Sequence, residues 1–538
     1  MKKILLLAFA VLMLFSGCAE ENETADNLQT EVLSSQDTQS EYENDENVLN
    51  ISMRTTTMLN PLLNKDESVD SVLRLMFEPL ISLDNTNKPQ GVIAESWYYT
   101  NDGTVLTVKI KEGLLWHDGS AITANDVAYS INTILNSEDD TVYKKCADNI
   151  RRVSVQDRYT VDIYFTEAFS GNIFSMCFPV ISQNYYSSGE NDTVPMGSGP
   201  YKFSEFTPAK ELVLEACDNS FVQKPSISKV VAKMTTDADT DVYSFSQEIT
   251  DCVVIDEKDI GKYDFDADVN KYSFNSNYFE FIGFNFNNEL LTDKNIRKAI
   301  SCAVPIDNII ESVYLSNAVK TSSPVNPASF LYDSNIAAVR YDLNKAKEYL
   351  LLAGYSYDNN SGLFIKTDES GTHNINLRIL INKESKERRQ IALKLSDELT
   401  TLGIKSTVES VDFATYTTRL EAGDFDLFVG GWELSISPYF GFMFESSNST
   451  GYNYISYSDE NMDNLINAAY NAVNESDMIK AYSELEAYTA EELPYISLLF
   501  RKSALFVNDR IDGTFDPVPY DYFRNIESWH IGTGDKTD

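Results

Sequence analysis

The sequence predicts an α/β protein of two or three lobes. Strand-like and helix-like apolar patterns alternate along the chain without internal repeats. A chain of 538 residues is also too long to close around one small core. No stretch after the first 17 residues is long and apolar enough to span a bilayer.

The opening residues predict export. Lys2 and Lys3 precede an unbroken apolar run, Ile4 to Phe15, which is too short for a permanent span and has the form of a signal, residues 1–17. Phe15-Ser16-Gly17-Cys18 resembles the lipobox of bacterial lipoproteins, with Phe15 where leucine is commoner. That resemblance implies a lipidated Cys18 and anchorage to a membrane at the bacterial cell surface or periplasm. From Ala19 to Asn47 come ten acidic residues and no Lys or Arg. Such a segment buries too little apolar surface to offset its ordering entropy, so residues 18–47 read as an acidic tether.

Charge narrows the partners. The chain has 43 basic and 82 acidic residues, a formal net of −39. That balance excludes a nucleic-acid face and disfavours adhesion to anionic lipid. It identifies no ligand. Cys146, Cys177, Cys217, Cys252 and Cys302 show no metal-type spacing, and their odd number leaves at least one thiol unpaired within the chain. With three histidines and no Cys/His cluster, neither a metal site nor a cofactor is expected. G-x-S-x-G, H-E-x-x-H and P-loop motifs are missing, so the chain does not read as an enzyme.

The body carries clear local signals. Leu106, Val108 and Ile110 alternate with Thr107, Lys109 and Lys111, as in a half-buried strand. Thr123, with Asp126 three residues on, opens a helix whose apolar stripe is Val127, Ile131, Ile134 and Leu135. Asp342 caps a helix that Gly354 closes, and Arg389 to Leu402 forms another that stops at Gly403. A strand from Ile404 to Val411, a helix from Asp412 to Ala422 and a strand from Asp426 to Val429 predict a parallel βαβ unit. Gly430, Gly431 and Trp432 lie at the carboxyl end of its last strand, where open α/β sheets meet ligands.

Several blocks then resemble one family. Ile93 to Leu135 reads IAESWYYTNDGTVLTVKIKEGLLWHDGSAITANDVAYSINTIL. Leu59-Asn60-Pro61 stands before it. Gly197-Ser198-Gly199-Pro200-Tyr201, Phe284-Asn285-Phe286, Ile296-Arg297-Lys298-Ala299, Pro305-Ile306-Asp307 and Lys345-Ala346-Lys347 follow it. Gly423-Asp424-Phe425-Asp426-Leu427 and Gly431-Trp432 complete the set. In this order they are similar to the family 5 extracellular solute-binding proteins, which serve oligopeptide, dipeptide and nickel importers.

The resemblance implies a two-lobed periplasmic-binding-protein-like fold with a hinge and an additional small accessory lobe. Ligand-binding lobe I is placed at 48–83, 194–282 and 504–538, the accessory lobe at 84–193, and lobe II at 283–503. Crossings between ligand lobes fall near Ile282–Phe286 and Arg501–Val507. The implied function is capture of a peptide or peptide-like ligand by hinge closure and delivery to ABC permease subunits, by a monomer. Rival readings are an oligosaccharide or modified-peptide binder, a surface enzyme acting on peptide or glycan, and a surface ligand sensor.

In peptide-binding relatives the stretch starting at Gly-Trp runs beside the ligand backbone, which here implies Gly430, Gly431, Trp432, Glu433 and Ser435. Relatives that clamp a peptide amine carry Asp three residues after this Trp; here that position is Ser435. Glu433 lies two residues earlier on the same face of an extended segment and is the candidate replacement. Thr55, Thr56, Met58 and Asn60, after the first strand, are the expected lobe I contacts. Tyr439, Phe440, Phe442 and Phe444 are read as cleft lining or core. His117 is expected to hydrogen-bond structurally. Arg54 and Arg378 are the available cations for a ligand carboxylate.

Overall fold

The computed structural model describes residues 47–532 except Asn101, Glu190, Asn219, Asp264, Asp266, Ala267 and Ser370. The expected leader, Cys18 and all of the acidic tether but Asn47 lie outside the described residues. Among those described, no helix is long and apolar enough to cross a membrane.

Three sheets organise a two-lobed α/β fold of the periplasmic-binding-protein kind. Strands β1 (Val48–Arg54), β6 (Tyr201–Thr207), β7 (Glu211–Ala216) and β8 (Lys229–Thr235) form the first, in the order β1-β8-β7-β6. Only β1 and β8 pair in parallel. Along β1 every second residue is buried, Leu49, Ile51 and Met53, as expected of a strand with one face on a core.

The second sheet is antiparallel throughout, in the order β2-β3-β5-β4, from β2 (Ala94–Thr100), β3 (Val105–Ile110), β4 (Ile150–Asp157) and β5 (Thr160–Phe165). Strand β3 departs from the half-buried expectation, since Thr107 is buried along with its apolar neighbours. It is an inner strand, and the Thr107 hydroxyl donates to Asp162 Oδ1 at 2.7 Å, which satisfies the buried oxygen. Helix α2 (Ala124–Asn136) starts as predicted. Asp126 Oδ2 accepts from the Thr123 N–H at 2.8 Å and hydroxyl at 2.9 Å, and Oδ1 accepts from the Gln183 N–H at 2.8 Å.

The third sheet is the largest. Its order is β9-β14-β10-β13-β11-β12, from β9 (Cys252–Ile255), β10 (Val269–Phe284), β11 (Asn376–Asn382), β12 (Lys405–Val411), β13 (Leu427–Glu433) and β14 (Tyr495–Asn508); the short strand Ala318–Lys320 also pairs with β14. The parallel βαβ unit is present, with one difference. Its strands β12 and β13 are not neighbours, because β11 lies between them and is parallel to both.

Helix boundaries follow the caps. Asp342 caps α3 (Leu343–Leu352), Ser385 caps α4 (Lys386–Leu402) and Asp412 caps α5 (Phe413–Glu421). Gly403 closes α4 at φ 92°, a conformation that glycine reaches without a Cβ clash.

The two longest strands, β10 and β14, run antiparallel side by side. One end of β14 also pairs with β9, while the other half of β10 pairs with β13. Their register shifts between Asn275 and Phe279 and again at Glu280. At this irregular point Glu280 has no exposed surface, and it pairs with Arg501 of β14 and with Arg388 of α4.

Many motif residues prove to be joints. Asn285 Nδ2 donates to the carbonyls of Gly423 at 2.9 Å and Phe425 at 2.7 Å, linking two of the sequence blocks. Arg297 donates to four carbonyls, those of Leu291, Thr292, Glu492 and Leu493. The N–H groups of Ser198 and Gly199 both donate to the Met76 carbonyl, and a Cβ on Gly197 would stand 1.9 Å from that oxygen. His117 Nδ1 accepts from the Gly197 N–H at 3.3 Å, which leaves Nε2–H to donate to the Gly199 carbonyl at 3.0 Å.

Candidate ligand-binding site

A cavity of about 750 Å³ opens where the first and third sheets meet the second sheet's helical loops. That volume suits a ligand of a few residues. Its walls come from distant parts of the chain. Arg54 ends β1, and Glu67 opens helix α1 (Glu67–Leu73). Phe174 and Ser175 follow the second sheet, and Asp256 follows β9. Glu433, Ser435 and Ser437 follow one another at the end of β13, and Tyr522 and Phe523 come from the final segment. Placing ligand contacts at strand ends follows from the α/β design, since loops there are free of ladder pairing.

Cations on the walls have partners. Arg54 Nη1 lies 2.6 Å from Asp241 Oδ2 and 2.8 Å from Thr235 Oγ1. Lys65 Nζ lies 2.5 Å from Glu138 and 2.9 Å from Asp140. The Asp66 carboxylate is also engaged, accepting from the Ser68 and Val69 N–H groups as the cap of α1. Glu67, Asp256 and Glu433 have no ion pair among the described residues.

Their surroundings raise the proton affinity of all three carboxylates. Glu433 meets water from the cavity, but protein encloses it elsewhere. Lost solvation pushes its pKa up first, repulsion from Glu257, Glu67 and Asp256 adds to this, and Lys258 offsets part. Glu67 is raised by lost solvation and then by Asp70 and Asp256, and Asp256 chiefly by lost solvation. All three residues are nonetheless exposed to the cavity's water, and carboxylates with raised pKa values gathered in a concave site make it a candidate for binding.

The structure sorts the residues expected to contact ligand. Glu433 and Ser435 line the cavity. Thr55, Thr56, Met58 and Asn60 do not. Thr55 N–H donates to the Thr235 carbonyl, and Thr56 Oγ1 accepts from the Met58 N–H at 3.0 Å. Asn60 is buried, with Nδ2 donating to Asp192 at 2.8 Å and Oδ1 accepting from Leu62 N–H at 3.1 Å. Thr56 is engaged within the loop, while Thr55 and Asn60 bond to Thr235 and Asp192; the cavity is instead reached by Arg54 at the end of β1 and by the start of α1.

Gly430, Gly431 and Trp432 stand behind the wall. Trp432 is 4 % exposed and stacks on Tyr454 with 6.1 Å between ring centres, while Phe442 and Tyr452 meet it edge-on. A Cβ on Gly431 would sit 2.6 Å from Arg388 Nη2 and 2.9 Å from Glu280 Cδ, so this glycine makes room for the buried ion pairs. Tyr439 and Phe442 reach the cavity, whereas Phe440 and Phe444 are core. Arg378 is held by Asp424 at 2.6 Å and Asp426 at 3.4 Å, away from the cavity wall.

Glu67, Asp256, Tyr522 and Ser437 escaped sequence reading. Glu67 looks like ordinary acidic enrichment in a helix's first turn, and nothing local marks the others. Only their convergence in space distinguishes them.

Residues 88–454 match the model for bacterial extracellular solute-binding proteins, family 5 middle. The oligopeptide-binding protein AppA of Bacillus subtilis is 25 % identical over 504 residues, covering 88 % of this chain and 90 % of that protein. Heme-binding protein A of Haemophilus influenzae is 22 % identical over 470 residues, covering 81 % and 83 %. A solved structure of the nickel ABC transporter from Bacillus halodurans superposes with a TM-score of 0.76 at 18 % identity, over 90 % of this chain and all of that one. Peptide, heme and nickel in those names show that the fold alone does not fix the ligand. The match over more than half the chain, with the cavity at its strand ends, settles the lineage: this protein belongs to the family 5 bacterial extracellular solute-binding proteins of ABC importers.

Proposed function

We propose that this protein is a lipid-anchored peptide receptor, tethered through Cys18, that hands its ligand to an ABC permease. The observation that carries the peptide reading is Glu433. It ends β13 on the cavity wall with its carboxylate unpaired among the described residues, two positions before Ser435. Ser435 Oγ donates to the Ser437 carbonyl at 3.0 Å and has no charge to offer an ammonium, so Glu433 takes the amino terminus. The oligopeptide-binding relative supports a peptide as the ligand. Lobes at 48–83, 194–282 and 504–538, and at 283–503, close on the ligand about β10 and β14, with 84–193 as the accessory lobe.

The test compares free and N-acetylated peptides by titration calorimetry on wild-type protein and Glu433→Gln. Wild type prefers the free amine at least tenfold, and the variant loses that preference. Equal losses for both peptides would remove the amine clamp. Native mass spectrometry of purified protein then identifies the co-purifying ligand, and an intact peptide is the expected species.

A further inference from the structure

The cavity holds more negative charge than one amino terminus needs. Glu67, Asp256 and Glu433 reach it from three separate stretches of chain, and Glu257 adjoins Asp256. Of the cavity's cations, Arg54 and Lys65 are already paired with Asp241, Glu138 and Asp140; Lys145 on the wall and nearby Lys258 offset part of the remaining negative charge but leave all three carboxylates with raised proton affinity. An ammonium held by Glu433 alone would leave the other carboxylates repelling one another in a site that excludes water on closure.

Two further features point to what fills the space. Tyr522 stands among these carboxylates: burial raises its phenol first, and Asp256, Glu67 and Glu257 raise it further. An aromatic ring among acids is the setting in which ammonium and guanidinium groups bind through both charge and the ring face. Phe174, Tyr439, Phe442 and Phe523 extend that aromatic lining. Ser437, on the same wall, is 4 % exposed, and its Oγ has no hydrogen-bond partner. A buried hydroxyl without a partner is costly and fits a polar group supplied by the ligand.

We infer that the cavity is built for an organic polycation, a short peptide carrying basic side chains besides its amino terminus, with Glu67, Asp256 and Tyr522 receiving the side-chain charge. The inference rests on the peptide reading above and adds a charge requirement to it.

Full-length protein is titrated calorimetrically with pentapeptides of alanine, with two lysines replacing alanine, and with two glutamates replacing alanine, and separately with spermidine. The dilysine peptide binds at least tenfold more tightly than penta-alanine, and the diglutamate peptide more weakly than either. Raising salt narrows the first gap, and so does Glu67→Gln combined with Asp256→Asn. Equal affinity for the alanine and lysine peptides overturns the charge requirement while leaving peptide capture standing. Spermidine bound with every peptide ignored upholds the polycation site and removes the peptide reading. Failure of all four ligands to bind overturns both. The wild-type series is decisive on its own should the double variant fold poorly.

Discussion

Arg388 Nε lies 3.2 Å from Glu280 Oε2, and Arg501 takes the other oxygen of the same wholly buried carboxylate. One anion thus joins helix α4 to strands β10 and β14 where those strands lose register. Burial disfavours both guanidinium charges more than any single neighbour favours them, but Glu280 together with Tyr278 and other nearby groups outweighs that cost and raises both pKa values.

Removing the shared anion leaves two buried cations facing each other. Glu280→Gln is therefore expected to cost about 3–5 kcal/mol in urea unfolding. A loss under about 1 kcal/mol would mean that water already reaches the pair.

Gly431→Ala tests the same junction from the backbone side. The new methyl must displace Arg388 or Glu280, so a loss of about 1–3 kcal/mol is expected by the same denaturation assay. Because the sites touch, the effects of Gly431→Ala and Glu280→Gln should not add. Simple additivity would show that they act separately.

Glu486, on helix α6 (Glu475–Glu492), makes stability fall as pH rises. It has no exposed surface, and burial pushes its pKa up to about 8, although Ser323 Oγ at 2.5 Å and the Asp333 N–H at 3.2 Å both donate to it. The folded state therefore holds a proton that the unfolded chain releases near its ordinary value of about 4.3. Stability is highest below that value and declines until pH passes about 8. Glu78, also raised to about 8 by burial, acts with the same sign, so in Glu486→Gln the decline should shrink rather than vanish, as read from melting temperatures at pH 5 and pH 9. A slope identical to wild type would refute this assignment.

His117 acts with the opposite sign. Burial lowers its pKa, and its Nδ1 must stay bare to accept from Gly197. Its contribution is complete above the unfolded value of about 6.5 and is lost as pH falls below it. NMR titration of the imidazole should show protonation at a pH below that of a model histidine.

Binding should weaken on acidification earlier than ordinary carboxylates would predict. Glu433, Glu67 and Asp256 all have raised pKa values and must be ionised to hold a cation. Calorimetry across pH 4 to 7 with the dilysine peptide checks this. A flat profile would show that these carboxylates do not carry binding.

Local grammar was readable from the sequence. Asp342, Asp412 and Gly403 mark helix ends because caps act within one turn, and the structure keeps them there. The insertion of β11 between β12 and β13 left no local trace, since sheet order is decided by packing between distant segments. The site divides the same way. Glu433 and Ser435 could be found because a strand end and a Gly-Trp pair announce them. Asp256 and Tyr522 could not, because 266 positions of chain separate two side chains that interact in the fold. Trp432 misled in the other direction: a large ring beside a cleft motif looks like a binding wall but fills an aromatic core.

The pairing of β10 with β14 also sets when this protein can acquire its shape. Val269 bonds opposite Asn508, so β10 must wait for a partner strand more than 200 residues further along the chain. Contacts this far apart in the chain form slowly, since closing so long a loop costs entropy before any pairing rewards it. A nascent chain therefore cannot complete its central sheet until β14 has been made. The two halves of β10 are thus committed at different times: the half beside β13 can pair before the half beside β14 has a complete partner.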